Sequence, residues 1–561
     1  APIQVASSET LKAIATAPNF AQSSVATGSY TIALPRAAAP TFNPPAGNYS
    51  SAQTIQIADT TPNASIFYTT DGTTPTTAST PFTSPFTISA TATVQAIATA
   101  PNFAQSSVAP ATYTIGPQSS GKGMWTWMGG STLSGLPAVY GALGVADPAN
   151  TPGGNSGGLI FPGPGGTVLL FGGSNGGNTV DRNALWQYNP ATAQWTWLAG
   201  SSDVNSKGDY GTLGVPSPSN QPASRDSAAG WTDRSGKLYF FGGSTDDSGL
   251  PEELNDLWTY DSPTATFTWI GGSDFAGSYG SSGTIGVPAS SNIPGARQDT
   301  GACSDQQGHF WMFGGAGASP PFGNIGYLND LWQYDPATSL WTWYTGSNQA
   351  NQAGVYGVQG TPGAANTPGG RFGMNCWTAL DGKLWFFGSY GLSSSASQQG
   401  FLENNDLWNF DPITHLWTWI GGSPTPNQFG VYGNLGQQAP GNIPGARSYG
   451  GNWIDKNGDL WLFGGVVINP SSGTPLIAND LWRYNIASGQ WTWMSGDPSG
   501  PLVPYSVYGT LGVPAPGNTP GARDGPATWV DSEGNLWLFG GFGYDTAGGA
   551  GLLNDLWRYQ P

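Results

Sequence analysis

The sequence predicts an all-β chain in which a closed ring of six four-stranded sheets, a six-bladed β-propeller, follows smaller β-sandwich modules. Three observations lead there. Only 9% of the residues are charged, 13% are aromatic, and Gly, Pro, Ser, Thr and Asn abound, which suits short strands joined by turns and disfavours long helices. A signature of the type Gly-x-Leu-Trp-x-Phe-Gly-Gly, then Asn-Asp-Leu-Trp-x-Tyr-Asp, then Trp-Thr-Trp recurs six times. Its Phe-Gly element falls at Phe171, Phe241, Phe313, Phe387, Phe463 and Phe539, a period of 70 to 76 residues that marks stacked units sharing a core. The segment AIATAPNFAQSSVA at 13–26 returns verbatim at 96–109, a second and smaller repeat.

The two copies of the smaller repeat are unequal. Residues 40–115 hold apolar alternation in TIQIAD, the strand SIFYTT, the turn Asp71-Gly72, and then TATVQAIATA and ATYTI, a set that reads as a complete β-sandwich. Residues 1–33 align only with its end, Ala1 falling opposite Ser84, and so supply the last strands of such a module. Half a sandwich cannot bury its apolar face. The remaining strands are expected upstream in a longer precursor, or donated by another protomer through strand addition. LPRAAAP at 34–40 and GPQSSGK at 116–122 read as linkers, placing the ring at 123–561.

Each ring unit is expected to give one strand after Pro-Gly-Ala-Arg, one ending in Phe-Gly-Gly, one from Asn-Asp-Leu-Trp and one around Trp-Thr-Trp. Asp233/Gly236, Asp305/Gly308, Asp455/Gly458 and Asp531/Gly534 mark tight turns between the first two. The array opens with an orphan fourth strand, 124–128, and stops after a third strand ending at Tyr559. The first strand is therefore expected to complete the last sheet and hide its edge.

Di-glycine after a strand followed by a spaced aromatic, as in Gly242-Gly243 with Trp258 and Gly464-Gly465 with Trp482, resembles the kelch-repeat propellers, a superfamily that includes the propeller of galactose oxidase. These units are longer than the usual kelch unit of about 50 residues by a loop between Trp-Thr-Trp and the next Arg. APTFNPPAGNYSSAQTIQI and IFYTTDGTTPT resemble the chitobiase/β-hexosaminidase C-terminal family of Ig-like or fibronectin-like accessory modules. That resemblance implies a spacer or surface attachment and brings no catalytic residues.

All 25 tryptophans fall at repeat positions, so packing between blades accounts for them. Arg225, Arg297, Arg371, Arg447 and Arg523 recur at the start of the inner strand, where the remaining unit has Asn155. Asp256, Asp330, Asp406, Asp480 and Asp555 recur at the start of the third strand, and the unit lacking Arg also lacks Asp, with Ala184. Both partners vanish together. A repeated, partly buried Arg–carboxylate pair pinning the long loop is expected, with a cationic ring gripping an acidic ligand as the alternative. Tyr140, Tyr210, Tyr279, Tyr356, Tyr432 and Tyr508, each before Gly in the long loops, are expected to pack rather than bind, since a single ligand needs residues that break the symmetry.

Cys303 takes the slot held by Trp231, Trp377, Trp453 and Trp529 in other units, and Cys376 sits one position earlier in the following unit. Strand side chains alternate, so the two thiols face each other across adjacent blades if the blades stack face to face, either as a disulfide or as two small buried groups. A disulfide would imply an oxidising compartment.

The chemistry-bearing inventory is thin. His309 and His415 are the only histidines, both at strand or turn positions, which does not support a two-histidine copper centre. No nucleophile elbow, zinc spacing or phosphate-cradling loop occurs, and Asp246-Asp247 and Glu252-Glu253 read as solvated loop charge, with calcium binding as the alternative. A net charge of −17 argues against nucleic acid or an anionic membrane as partner, and no long apolar run spans a bilayer. No cofactor and no metal are expected. The reading is a secreted or cell-surface, non-enzymatic protein that binds a glycan or protein on the long-loop face. A filament subunit completed by strand exchange comes second, and a glycan-active enzyme third.

Overall fold

Segments of alternating or continuous apolar residues, bounded by Gly and Asp turns, become strands throughout the computed structural model, which describes residues 2–5, 8–49, 53–115, 123–174, 181–246, 252–319, 324–394, 402–469, 472–498 and 505–561. The expected linker at 116–122 lies outside these residues. The chain divides into two compact units, Ala1–Ser120 and Gly121–Pro561. Among the described residues no helix is long and apolar enough to cross a membrane.

In the smaller unit, Thr41–Asn43, Gln53–Ala58 and Phe86–Ile88 form one sheet, and Gly47–Tyr49, Ala109–Ile115, Ala92–Thr99, Ser65–Thr69 and Thr80–Pro81 form another. Their inward side chains, among them Ile55, Ile57, Val94 and Tyr113, make one buried cluster. The first copy of the repeat gives only the hairpin Glu9–Ala13 with Ala26–Tyr30. Its local geometry matches the complete copy: Asn19 and Asn102 have φ of 67° and 65°, and Ala15 N and Ala98 N each donate to the serine eight residues on, at 2.9 and 2.8 Å. Burial does not match. Ile97 is fully buried, whereas Ile14, at the same place in the identical segment, is 51% exposed.

In the larger unit, six four-stranded antiparallel arrangements occur among the described residues, one from each repeat. A representative one runs Ala229–Thr232, Leu238–Phe241, Leu257–Asp261 and Thr266–Gly271 from inside to outside. The last consists of Ala527–Val530, Leu536–Phe539 and Leu556–Gln560, with Met124–Gly129 as its outer strand; Trp125 pairs with Tyr559 and Trp127 with Trp557. The first strand of the ring thus belongs to its last sheet. The inner strands neighbour one another in a complete circuit, including Leu159–Pro162 against Ala527–Val530.

The sheets stack through aromatic layers. Phe171 and Leu185 of one unit pack with Phe240, Trp258 and Phe267 of the next, and Leu170 and Trp186 pack with Trp537 and Phe539 across the closure. Each buried ring removes on the order of 150–250 Å² from water, so the interfaces carry most of the hydrophobic stabilisation of these short strands. Cys303 and Cys376, on adjacent inner strands, form a disulfide between two such units.

Candidate functional site

Five repeated ion pairs position the inner strands. Arg225 donates from Nη1 to Asp256 Oδ1 at 2.6 Å and from Nη2 to Oδ2 at 2.7 Å, while its Nε and Nη1 also reach the carbonyls of Ala223 and Gly242. Asp256 Oδ2 further accepts from Trp258 Nε1 at 2.7 Å and from the Tyr210 hydroxyl at 2.6 Å. The bidentate pairs recur at Arg297–Asp330, Arg371–Asp406, Arg447–Asp480 and Arg523–Asp555, with the arginines no more than 2% exposed. Burial alone would raise the Asp480 carboxyl, but the Arg447 charge beside it holds it below the usual range. With both guanidinium edges engaged by carboxylate and carbonyl oxygens, these arginines have little to offer a ligand, and none lines the cavity at the ring axis described below. The cationic ring weighed from the sequence is therefore not what they build.

Four of the candidate tyrosines, Tyr210, Tyr356, Tyr432 and Tyr508, give their hydroxyls to the latch aspartate at 2.6 to 2.8 Å. Tyr279 is not their equivalent. In the other units the tyrosine lies ten residues before the loop asparagine that bonds back to the sheet, as Tyr210 does before Asn220; ten before Asn292 stands Ser282. Asp330 accordingly lacks a phenol partner and is 5% exposed, against none for Asp256, Asp406, Asp480 and Asp555. In the unit without the ion pair, Asn155 Nδ2 makes the bond to Gly172 O that arginine makes elsewhere, and Arg182 Nη1 takes up the Tyr140 hydroxyl at 2.9 Å.

Two residues beyond each latch position the chain reaches the ring axis. There Gly157, Ser227, Asp299, Gly373, Tyr449 and Gly525 all have φ between 55° and 68°. Ser227 N donates to Gly157 O, Asp299 N to Ser227 O, Gly373 N to Asp299 O, Tyr449 N to Gly373 O, Gly525 N to Tyr449 O, and Gly157 N to Gly525 O at 2.8 to 3.3 Å. Six backbone amides thus close a hydrogen-bonded circle around the axis. Glycine tolerates this backbone at three places; Ser227, Asp299 and Tyr449 hold it against the usual preference of side-chain-bearing residues, a feature that concentrates at functional sites.

A cavity of about 580 Å³ surrounds this circle, lined from the strand starts by Asp226, Asp299, Asp524 and Tyr449 and by apolar groups such as Phe542 and Leu552. The Tyr449 hydroxyl donates to Asp299 Oδ2 at 2.9 Å. Burial pushes Asp299 up to about 6, burial and the Asp299 charge push Asp524 up to about 7, and burial with the charges of Asp181 and Asp299 raises Asp226. Behind the wall, burial and Asp246 bring Asp181 to about 7, and burial brings Glu403 to about 8. Asp246 is only 3% exposed, which corrects its reading as solvated charge; Asp247 lies outside the described residues.

Apart from Asp246, these acids did not stand out in the sequence, because the residue after the latch varies among four types over the six units: Ser156, Asp226, Gln298, Phe372, Ser448 and Asp524. The available signal was that variation itself, at the two slots that follow an arginine kept in five of the six units. The histidines sit elsewhere. His309 contacts Asp305 in the turn after an inner strand, and His415 lies in the turn between third and fourth strands.

A ring of stacked four-stranded sheets with Gly-Gly strand ends defines a β-propeller, and the comparisons specify its type. Residues 165–352 match the family described as KLHDC2/KLHL20/DRC7 Kelch-repeats domain, and residues 44–112 match the Chitobiase/beta-hexosaminidase C-terminal domain. The chain thus carries a kelch-type propeller and an Ig-like domain, as the repeat signature and the TIQIAD module imply. Kelch-repeat families are for the most part non-enzymatic and generally mediate protein binding. A solved structure described as "Structure of YjhT" aligns at 16% identity and a TM-score of 0.41, over 72% of this chain and 95% of that one. No curated protein matches the chain.

Arg447→Ala leaves Asp480 buried without its cation and is expected to destabilise by about 3–5 kcal/mol, whereas adding Asp480→Ala restores part of the loss; denaturant melts of the two variants test this. The acids in and behind the cavity wall are raised above their unfolded values near 4, so the native state keeps protons that the unfolded chain releases. Stability is therefore expected to fall as pH rises from about 4.5 through 8, and Asp299→Asn with Asp524→Asn should flatten that slope in thermal melts.

Proposed function

We propose that this is a non-enzymatic binding protein, secreted or held at the cell surface, whose propeller takes a glycan or protein on the face formed by its long connections. The observation that carries this reading is the division of the ring into a monotonous and a varied side. Turns at one end repeat the same device, with Asp233, Asp305, Asp455 and Asp531 each accepting backbone N–H groups of their own hairpin. The other end bears the fourth-to-first and second-to-third connections, which differ in length and sequence from unit to unit. Variable loops on a rigid scaffold are where recognition concentrates. The disulfide supports an oxidising compartment, and an Ig-like module ahead of the ring suits a spacer.

A second reading, a filament subunit, draws on the exposed apolar side chains of the first hairpin, where Phe20 is 79% exposed and Ile14 51%. Strands from another copy would cover them.

Replacing the hairpin tip 545–549 by Asn-Gly is expected to abolish a glycan-array or protein-binding signal of the intact chain without lowering its melting temperature. Signal unchanged by replacement of this and the other second-to-third tips would sink the loop-face reading. Light scattering of the same sample separates the two readings: a monomer counts against strand exchange, and an assembly that dissociates on deletion of residues 1–33 supports it.

A further inference from the structure

The cavity at the ring axis has a polar side and an apolar side. At its strand starts each unit has a row of three cross-strand partners that share one sheet face, as Asp524, Phe542 and Leu552 do in the sixth unit, where all three line the cavity. From the first unit to the sixth, the middle residue of the row is Ser174, Ser244, Ala316, Tyr390, Val466 and Phe542. Hydroxyls thus stand in two adjacent units, and aromatic or branched aliphatic side chains in three others that are also adjacent. A slot that served packing alone would repeat, as the latch arginines do in five units and the strand phenylalanines do in all six.

Phe542 marks the apolar side. Its ring lines the cavity yet stays 40% exposed, whereas Phe539, three residues earlier, is sealed between sheets. Val466 and Leu552 line the same cavity, and Tyr449 extends the aromatic surface through Phe372, 6.1 Å away, to Tyr390. The opposite character appears at Ser156, Ser174, Asp226 and Ser227, which line the cavity from the first two units. The hydrogen-bonded circle also borders it, and there Gly157, Gly373 and Gly525 carry no side chain to keep a ligand off the backbone.

The occupant's chemistry follows from these two sides. Serines donate and accept, carboxylates accept, and an apolar wall is matched by C–H surface, so the fitting molecule carries hydroxyls on one edge and an apolar face beside them. Among the described residues no lysine or arginine lines the cavity, so an anion there would meet acids without a counter-charge. The volume of about 580 Å³ is that of a small-molecule site. A pyranose ring meets these conditions: its axial C–H groups form a flat apolar face, and its hydroxyls radiate from the rim. We propose that the axial cavity binds an uncharged terminal sugar of a glycan, stacked on Phe542 with its hydroxyls toward Ser156, Ser174 and Asp226. This rests on the glycan form of the binding reading above and narrows it, placing the sugar at the axis rather than on the loop tips and selecting neutral chains over acidic ones.

Saturation-transfer NMR of the full chain with the methyl glycosides of galactose, glucose, mannose and N-acetylglucosamine, beside N-acetylneuraminic acid and glucuronic acid, tests it. At least one neutral glycoside is expected to receive saturation, strongest at the C–H protons of one ring face, and neither acid is. Phe542→Ala should weaken that binding by about tenfold or more, and Phe542→Trp should retain it. Phe542→Leu, which keeps apolar bulk without a ring, serves if Phe542→Ala does not melt cooperatively. Asp226→Asn should weaken binding by about tenfold through the lost charged acceptor. No binding of any neutral glycoside, preference for the acidic sugars, or equal affinity in the folded Phe542 variants that lack a ring overturns the proposal. On a glycan array, a signal abolished by exchange of the 545–549 tip but untouched by Phe542→Ala also overturns it and leaves the loop-face reading standing. The reverse pattern supports the axial site and removes the tips from recognition.

Discussion

Five buried guanidinium–carboxylate pairs fix where each inner strand begins, and the geometry at the axis depends on them. Each carboxylate ties together the inner strand through Arg, its own strand through Trp and, in four units, the long connection through Tyr. Taking such a pair out of water is expensive, and the cost is offset by the bidentate geometry together with the carbonyl, indole and phenol partners around it. Two residues later the chain must turn with positive φ, and its amide meets the carbonyl of the neighbouring unit. Moving any latch would displace one member of a closed circle, so the ring tolerates little error at these positions. The unit without the pair keeps register by another route, Asn155 taking over the carbonyl bond of the missing arginine.

That hierarchy explains what the sequence made legible. Recurrence exposes any residue whose role repeats, so the strands, the closing segment around Trp125, the covarying Arg and Asp, and the rarity of ligand-ready tryptophans could all be read from spacing. Tyr279 shows how the method slips: a neighbouring Tyr-Gly pair three residues away imitated the pattern, and only the fixed distance to Asn292 reveals that Ser282 holds the place. The cavity escaped because its residues are meaningful by not repeating. Asp226, Asp299 and Asp524 are far apart in the chain, Asp226 and Asp524 directly after their arginines and Asp299 one residue further, and only closure of the ring brings them together.

Constant and variable positions therefore occupy different registers of the same repeat. Positions that must satisfy the latch or the aromatic layers are held constant, while the slots one and two residues further on are free to differ from unit to unit. A strictly symmetric ring would offer six identical environments at its axis, and here they are unlike. Placing acids in three of them while leaving others as Ser, Gly or Phe creates that asymmetry, at the expense of like-charge repulsion in a poorly solvated space.

The duplicated N-terminal segment shows why local sequence alone cannot decide burial. AIATAPNFAQSSVA makes the same hairpin, the same left-handed asparagine and the same serine-to-amide bond in both copies, yet Ile97 is sealed and Ile14 is open to water. Local hydrogen bonds set the shape; the sheet facing it sets the energy. The hydrophobic contribution of a fully buried isoleucine, on the order of 1.5–3 kcal/mol, is realised in the complete module and forgone in the hairpin. An identical stretch of chain thus serves as core in one setting and as an uncovered apolar surface in the other, and whatever covers it must supply strands like Gln53–Ala58 and Ser65–Thr69, which the complete copy carries and the hairpin lacks.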